Sequence, residues 1–379
     1  MIGIDDHYVL VYEHEGGRRG LNGLRDRFDR PFRRSPPRRY RSDEYKRWFP
    51  KTARVFLRYL KRSRALPVPE RPDGDAVGVV VCPWVSTAAP WYSIMLAIGL
   101  ARRGRKVVLL WDDTGFPERD VADQNRAIGR VLSYVGQYFP VVRLSDETSR
   151  PPRETDAQAI EELTDQNLAW RLRGAPPAER HRSLVRDIRA SLESSLPFVR
   201  SAVDRADLDC LVVPGGVYGS SGLFLLAAAE HECRVATFDA DLNVGQVCVG
   251  GIAAQSADVP RAFDALWNSG EQTRQEVIAV ARAEFQRRNE TSDRYGFQAV
   301  PARAVTSEVD NGVLIPLNVE WDTAALGKRV HFESTSEWLT STITAILEMD
   351  GGPVTVRQHP SERRERQRSK LDILSLIHI

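Results

Sequence analysis

Residues 76–83 read AVGVVVCP, and residues 106–113 read KVVLLWDD. Each is an apolar run rich in β-branched side chains, as a strand buried on both faces requires. The stretch between them, STAAPWYSIMLAIGLARRG (86–104), has a helix's punctuation. Ser86 or Thr87 serves as N-cap, Pro90 falls in the first turn and Gly104 supplies the stop. Strand, helix and strand joined by short connections form the unit of a parallel, doubly wound sheet. The fold class predicted from this stretch is α/β.

Reading outward, residues 118–205 look polar and mostly helical, with breaks at Pro151-Pro152 and Pro176-Pro177. The alternation resumes at DCLVVPGG (209–216), a strand and glycine turn. SSGLFLLAAAEHE (220–232) reads as a helix and CRVATFD (233–239) as a strand. Residues 260–290 read as one long charged helix. A second α/β unit begins near Gly312. GVLIPLNV (312–319) is a strand, STSEWLTSTITAILEM (334–349) a helix with a capping box from Ser334 to Glu337, and GPVTVRQHP (352–360) the next strand. After Pro360 only SERRERQRSKLDILSLIHI follows, short of the further strands that a full lobe needs. The closing hexapeptide, LSLIHI, is also what the end of a common transposase-based sequencing adapter encodes in one reading frame. The expected organisation is therefore a basic arm and linker (1–70), a Rossmann-like lobe with a helical insertion (71–305), a partial second lobe (306–373) and a non-native tail (374–379).

Composition narrows the class. With 42% hydrophobic and 27% charged residues in 379, the chain can bury a substantial core and is long enough for two domains. No run approaches the roughly 18 uncharged apolar residues of a spanning helix, and MIGIDD lacks the pattern of a secretory signal. Cys82, Cys210, Cys233 and Cys248 are scattered, which suits buried free thiols in a reducing compartment. Charge is unevenly distributed. Residues 18–64 hold 18 Lys and Arg against Asp26, Asp29, Asp43 and Glu44, a local net of +14 within a chain of net +2. Its second half, YKRWFPKTARVFLRYLKRSR (45–64), spaces aromatic and aliphatic residues among cations with helical periodicity. Two readings stay open: a helix lying on an anionic membrane surface, or a helix packing its apolar stripe on the domain beside a solvated basic face. Nucleic acid is not expected, because no nucleic-acid fold accompanies the arm and the remainder is acidic.

In open parallel sheets ligands bind at the carboxyl ends of the strands. Those ends carry Trp84, Ser86 and Thr87, then Asp112 and Asp113. The glycine-rich turn PGGVYGSSG brings Tyr218, Ser220 and Ser221, and the next strand ends in Asp239, Asp241 and Asn243. Carboxylates, amides and hydroxyls grip sugar hydroxyls, and a carboxylate can deprotonate an attacking hydroxyl. In the second unit, PLNVEWD places Asn318, Glu320 and Asp322 past one strand, and VRQHPSER places Arg357, His359 and Glu362 past its neighbour. A guanidinium and an imidazole at that edge suit a phosphate.

These last motifs, with VLIPLNVEWDTAALG and VTVRQHPSER, resemble the capsule polysaccharide biosynthesis proteins, bacterial glycosyltransferases of GT-B type. VVPGG…SSGL…VATFDADLN…GGIA is similar to the acceptor-side lobe of such enzymes. The resemblance covers about residues 76–365. It implies a GT-B-like fold of two Rossmann-like lobes with parallel sheets, here with the second incomplete, and a metal-independent glycosyltransferase of surface polysaccharide synthesis without a cofactor. The substrates implied are a nucleotide sugar and a saccharide or lipid-linked saccharide acceptor. His359 takes the donor phosphate, assisted by Arg357, with Asn318, Asp322 and Glu362 beside it. The acceptor side is Trp84, Ser86, Thr87, Tyr218, Ser220, Ser221 and Asn243. The base is Asp241 or Asp239, then Asp113. The family's later donor-lobe motif lies beyond the last residue, which argues against independent catalysis by this length of chain. A cytoplasmic location, peripheral at the inner face of the membrane, goes with this reading. The alternatives are a non-catalytic polysaccharide-binding or assembly protein and a nucleotide-sugar epimerase.

Overall fold

The computed structural model describes residues 3–4, 7–8, 42–63, 76–83, 89–114, 121–148, 156–240, 245–255, 259–290, 312–319, 321–322, 325–326, 331–349, 351–357 and 359. At its centre is β1 (Ala76–Val81), in which all six residues are buried. β2 (Lys106–Trp111) lies parallel on one side of it and β4 (Cys210–Pro214) parallel on the other. β3 (Val141–Arg143) extends the sheet beyond β2, and β5 (Arg234–Ala240) beyond β4. β6 (Gly245–Val249) closes the far edge antiparallel to β5. The six-stranded order is β3-β2-β1-β4-β5-β6, a mostly parallel, Rossmann-like α/β sheet.

The start of the sheet is held by a clip between β1 and the residue before β4. The Ala76 amide donates to Asp209 Oδ2 at 2.6 Å, and the Asp209 amide returns a bond to the Ala76 carbonyl at 3.0 Å. Next along β1, Gly78 admits Leu208 and Leu211. A Cβ there would stand 2.4 Å from a Leu208 methyl and 2.9 Å from a Leu211 methyl.

The helices follow from the connections. α2 (Ala89–Arg102) joins β1 to β2, and α3 (Val121–Val135) joins β2 to β3. α4 (Asp156–Leu172) and α5 (Arg182–Ala206) precede β4, and α6 (Ser221–Glu230) leads into β5. Ile94, Ala97, Ile98 and Ala101 of α2 join Ile128, Val131, Leu132 and Val135 of α3 in one cluster with β1 and β2. The span read as helical and polar thus also contains a short strand, β3. Three residues, Val-Val-Arg, are too few to show a strand's alternation. The expected long helix at 260–290 is two helices, α7 (Val259–Asn268) and α8 (Glu271–Glu290). Gly270 divides them at φ +142°, a conformation closed to other residues.

α1 (Ser42–Ser63) realises the packing alternative. Ala53, Phe56 and Leu60 are buried in the same cluster as α2 and α3, with the Phe56 ring 5.4 Å from Trp91. Burial of Phe and Leu side chains stabilises the docked helix by about 1.5–3 kcal/mol each. Lys51, Arg54, Arg58, Lys61 and Arg62 remain exposed, and the Lys61 ammonium stands 5.3 Å from the Tyr134 ring centre. Residues 18–41 and the side chains of Trp48 and Phe49 lie outside the described residues. No described helix is long and apolar enough to cross a membrane.

The chain divides into two compact units, residues 1–164 with 183–262, and residues 165–182 with 263–379. In the second, β7 (Val313–Pro316) and β8 (Val354–Arg357) pair in parallel. α9 (Thr335–Glu348) connects them and sets Leu339 and Ile343 against Ile315 and Leu317. Ser334 caps α9 as the sequence predicted, accepting from the Glu337 amide at 3.1 Å. The Glu337 carboxylate reaches back to the Glu333 amide at 2.9 Å, one residue before the cap. The tail at 374–379 lies outside the described residues. Cys82, Cys233 and Cys248 are buried free thiols, and Cys210 is a half-buried one.

One ion cluster ties three helices of the larger unit. Arg200 of α5, 4% exposed, donates to both oxygens of Asp156 at 2.6 and 2.7 Å and to Glu230 at the end of α6. Hydrogen bonding to Asp156, ahead of the opposing effect of burial, holds its pKa above the ordinary arginine value. Removing Arg200 takes a buried ion-pair partner from both carboxylates. Arg200→Ala should therefore lower stability by about 3–5 kcal/mol, read as a shift in the urea midpoint; a change under about 1 kcal/mol would show that the cluster contributes no more than a surface pair.

Candidate functional site

Because the first five strands are parallel, their carboxyl ends share one edge. The chain leaves β1 towards β2 and β3 and later returns on the other side of β1 to build β4 and β5. The crevice outside the carboxyl ends of β1 and β4 is therefore the topological switch point, the usual ligand position of such sheets.

A buried polar cluster occupies this edge. Asp112, one residue past β2 and 1% exposed, is held by its amide, which donates to the Val81 carbonyl at 3.0 Å. Its Oδ1 accepts from the Thr114 hydroxyl at 2.7 Å and from the Thr114 amide at 3.2 Å. The Ser220 hydroxyl donates to Oδ2 from across β1. Cys82, at the end of β1, lies beneath this bond with its Sγ 3.9 Å from Ser220 Oγ. Burial raises the Asp112 pKa above the ordinary aspartate value of 3.8, and the donors from Ser220 and Thr114 oppose the rise. Burial likewise raises the Cys82 thiol, with the Asp112 charge adding to it. A thiol so protected from ionisation is no nucleophile at neutral pH.

The turn that presents Ser220 needs its glycines. Gly215, Gly216 and Gly219 all have positive φ (65°, 89° and 61°), and a Cβ on Gly216 would stand 2.7 Å from Ile252 Cδ1. The Gly215 amide donates to the Phe238 carbonyl at 2.8 Å, which fixes the turn to the end of β5. Ser220 and Ser221, expected on the acceptor side, are 6% and 0% exposed. They stand behind the surface of the turn, and Tyr218 on the same turn is half-buried. Asp239, an expected base, is half-buried on β5 opposite Gln246 of β6. Its neighbour Thr237 is buried and bridges the Gly251 carbonyl (2.7 Å) and the Ala253 amide (2.8 Å). Asp113 has a holding role. Its side chain, 3% exposed, accepts from Arg143 Nε, from the Ser145 amide at 2.9 Å and from the Ser145 hydroxyl at 2.7 Å. Those bonds tie the end of β2 to the end of β3, while the Arg143 guanidinium lies 5.1 Å from the Trp111 ring centre. Trp84, Ser86, Thr87, Asp241 and Asn243 lie outside the described residues.

In the second unit Arg357 is in register with Pro316, and the Leu317 amide donates to the Arg357 carbonyl at 2.8 Å. Ile315 and Leu317 face α9, so alternation puts Leu314, Pro316 and Asn318 on the opposite, exposed face. Val354 and Val356 face α9 as well, which turns Arg357 to the same exposed face. Asn318 and Arg357 thus share one face of adjacent parallel strands, and His359 is two residues further on. The Asn318 side chain accepts from the Val319 amide at 2.8 Å. Asp322 opens a turn, its carbonyl accepting from the amides of Ala325 and Leu326 at 2.9 and 3.0 Å. Between these positions Trp321 packs 4.2 Å from the Arg173 guanidinium. Glu320 and Glu362 lie outside the described residues. Among the described residues no group of three or more His, Cys, Asp or Glu side chains is placed to hold a metal ion.

Comparison with protein families, curated proteins and solved structures finds no match to this chain.

Sequence reasoning marked Asp112 only as a strand-end residue and did not pair it with Ser220. The pairing depends on β1 lying between β2 and β4, a spatial order that chain order does not reveal. Asp112 also has a consequence for stability. Its folded-state pKa is raised, so the native state binds this proton more tightly than the unfolded chain does. The stabilisation is complete below about pH 3.8, the ordinary aspartate value, and is lost as pH rises through the folded value. Asp112→Asn should therefore gain stability relative to the parent as pH rises. Urea unfolding of both proteins from pH 4 to 8 checks this, and parallel curves would show Asp112 to be ordinary.

Proposed function

We propose that the chain belongs to a glycosyltransferase of capsule or other surface polysaccharide synthesis, carrying an acceptor-side lobe and donor-side elements in a GT-B-like arrangement. One observation carries the reading: Asn318 and Arg357 share an uncovered face at the carboxyl edge of a parallel strand pair, with His359 following. A guanidinium and an imidazole so placed offer charge-assisted donors to a diphosphate, the leaving group of a nucleotide sugar. No cofactor is called for.

In the reaction proposed, an acceptor hydroxyl attacks the anomeric carbon. The bond from that carbon to the nucleotide's distal phosphate oxygen breaks, and the nucleoside diphosphate leaves with the electron pair. Arg357 and His359 offset the charge growing on that phosphate. The acceptor's proton passes to a carboxylate of the first lobe. Asp239 and Asp241 are the proposed acceptors of that proton, since Asp113 is engaged on both oxygens. The buried Asp112–Ser220 bond acts as a positioning contact, fixing the glycine turn over β1 on which Tyr218 stands. Asp322 and Glu362 complete the donor edge, and Trp84, Ser86, Thr87 and Asn243 the acceptor edge. The setting proposed is the cytoplasmic face of the cell membrane, where a saccharide on a lipid carrier would be extended.

A panel of nucleotide sugars, assayed for protein-dependent release of free nucleotide and for binding by calorimetry, tests this reading. Binding of one donor that weakens by about 10-fold or more in His359→Ala, with the melting temperature unchanged, is the expected result. An interaction of a charged phosphate with its partner is worth about 1.5–3 kcal/mol, which sets that scale. Equal donor affinity in parent and variant would overturn the phosphate role of His359. No binding of any donor would favour an assembly protein instead.

A further inference from the structure

α1 is amphipathic, yet its two faces have separate fates. The apolar face is committed to the protein's own core through Ala53, Phe56 and Leu60. The other face carries Lys51, Arg54, Arg58, Lys61 and Arg62, all exposed, and the sequence has no acidic residue from Tyr45 to Arg64. Among the described residues, none of Lys51, Arg58 and Arg62 makes an ion pair with a carboxylate, and Arg54 donates only to the Pro50 carbonyl one turn back at 3.3 Å. α3, which packs alongside α1, adds exposed Arg126 and Arg130 one turn apart. The array stands on a docked helix of 22 residues, about 33 Å long at 1.5 Å per residue, rather than on a free tail.

We propose that this face is a docking surface for an anionic lipid bilayer, bound by charge alone and without insertion of the helix. The rest of the chain supports that occupant. Outside residues 18–64 the net charge is −12, given +14 within them and +2 overall. A long polyanion would extend past the patch along a chain that is otherwise net acidic, whereas a bilayer meets the cationic face of one helix at once. Base stacking also needs exposed aromatic rings, and of the aromatic side chains described on this helix Phe56 is buried with Tyr59 packed against it. Inserting helices bury an apolar face in lipid, but here that face is already in the core. What remains is attraction between cations and anionic headgroups, each cation near the surface strengthening partitioning by roughly 5-fold at low salt. The inference rests on the proposed function only for its setting. Its test reads vesicle association and not sugar transfer, so either can fail alone.

Deleting residues 18–64 would remove core residues, so the test keeps the chain intact. The full-length protein is floated with phosphatidylcholine vesicles, with and without phosphatidylserine, in about 0.1 M and about 0.5 M salt. Neutralising the face in one variant, Lys51→Gln, Arg54→Gln, Arg58→Gln and Arg62→Gln, leaves the buried residues untouched, and its melting curve reports whether it folds. Binding only to phosphatidylserine vesicles, lost in high salt and weakened on the order of 100-fold in the variant, is the expected result. Unchanged binding by the folded variant would overturn the assignment, as would binding in high salt. Binding to a single-stranded oligonucleotide in preference to the anionic vesicles would also overturn it. Should the four-fold variant not fold, Arg58→Gln with Arg62→Gln is read the same way, with a loss of at least about 10-fold expected.

Discussion

Val79, Val80 and Val81 have no exposed surface, and the strand that contains them is flanked by a parallel partner on each side. A strand in that condition must be covered on both faces, because uncovered valines would return to water what burial gains. Right-handed crossovers then place the helices between β1, β2 and β3 on one face and α6 on the other. The faces of β1 are filled by apolar side chains, so polar groups near it stand at the strand ends. The Asp112–Ser220 bond is an outcome of this constraint. It spans β1 at its carboxyl end, where the first wholly buried carboxylate of the unit meets a donor from the glycine turn.

The same logic separates holding groups from exposed ones along that rim. Asp113, Arg143 and Ser145 tie β2 to β3, and Thr237 ties β5 to the turn at 251–253. Asp239 is only half-buried. The second unit differs in kind. Its parallel pair is covered on one face by α9 and leaves Leu314, Asn318 and Arg357 on the other.

Much of this was legible in the sequence, for reasons that can be traced. β1, β2 and α2 are announced by an uninterrupted apolar run, a second such run and a helix with Pro90 in its first turn. The cap on α9 is visible because a Ser followed three residues later by Glu marks a helix start locally, although the Glu337 carboxylate accepts from the Glu333 amide and not from the cap's own. The structure departs where local pattern is too short or is shared by two outcomes. β3 has three residues, and β6 is an antiparallel edge strand whose Gly-Gln-Val-Cys-Val lacks a clean alternation. Gly270 breaks a charged helix whose composition alone reads as continuous. The stripe of α1 fits lipid or core equally well, and only Phe56 meeting Trp91 decides it. Strand order sets the rest: Ser220 and Asp112 stand 108 residues apart in the chain and meet only across β1.

The central claim, that the carboxyl edge of β7 and β8 takes a diphosphate, is tested most directly by hydrogen exchange of the full-length protein with and without a nucleoside diphosphate. The account predicts added protection of the amides from Ile315 to Val319 and from Val356 to His359, with β1 and β2 unchanged. Protection confined to the glycine turn at 215–221, or none anywhere at saturating nucleotide, would contradict it.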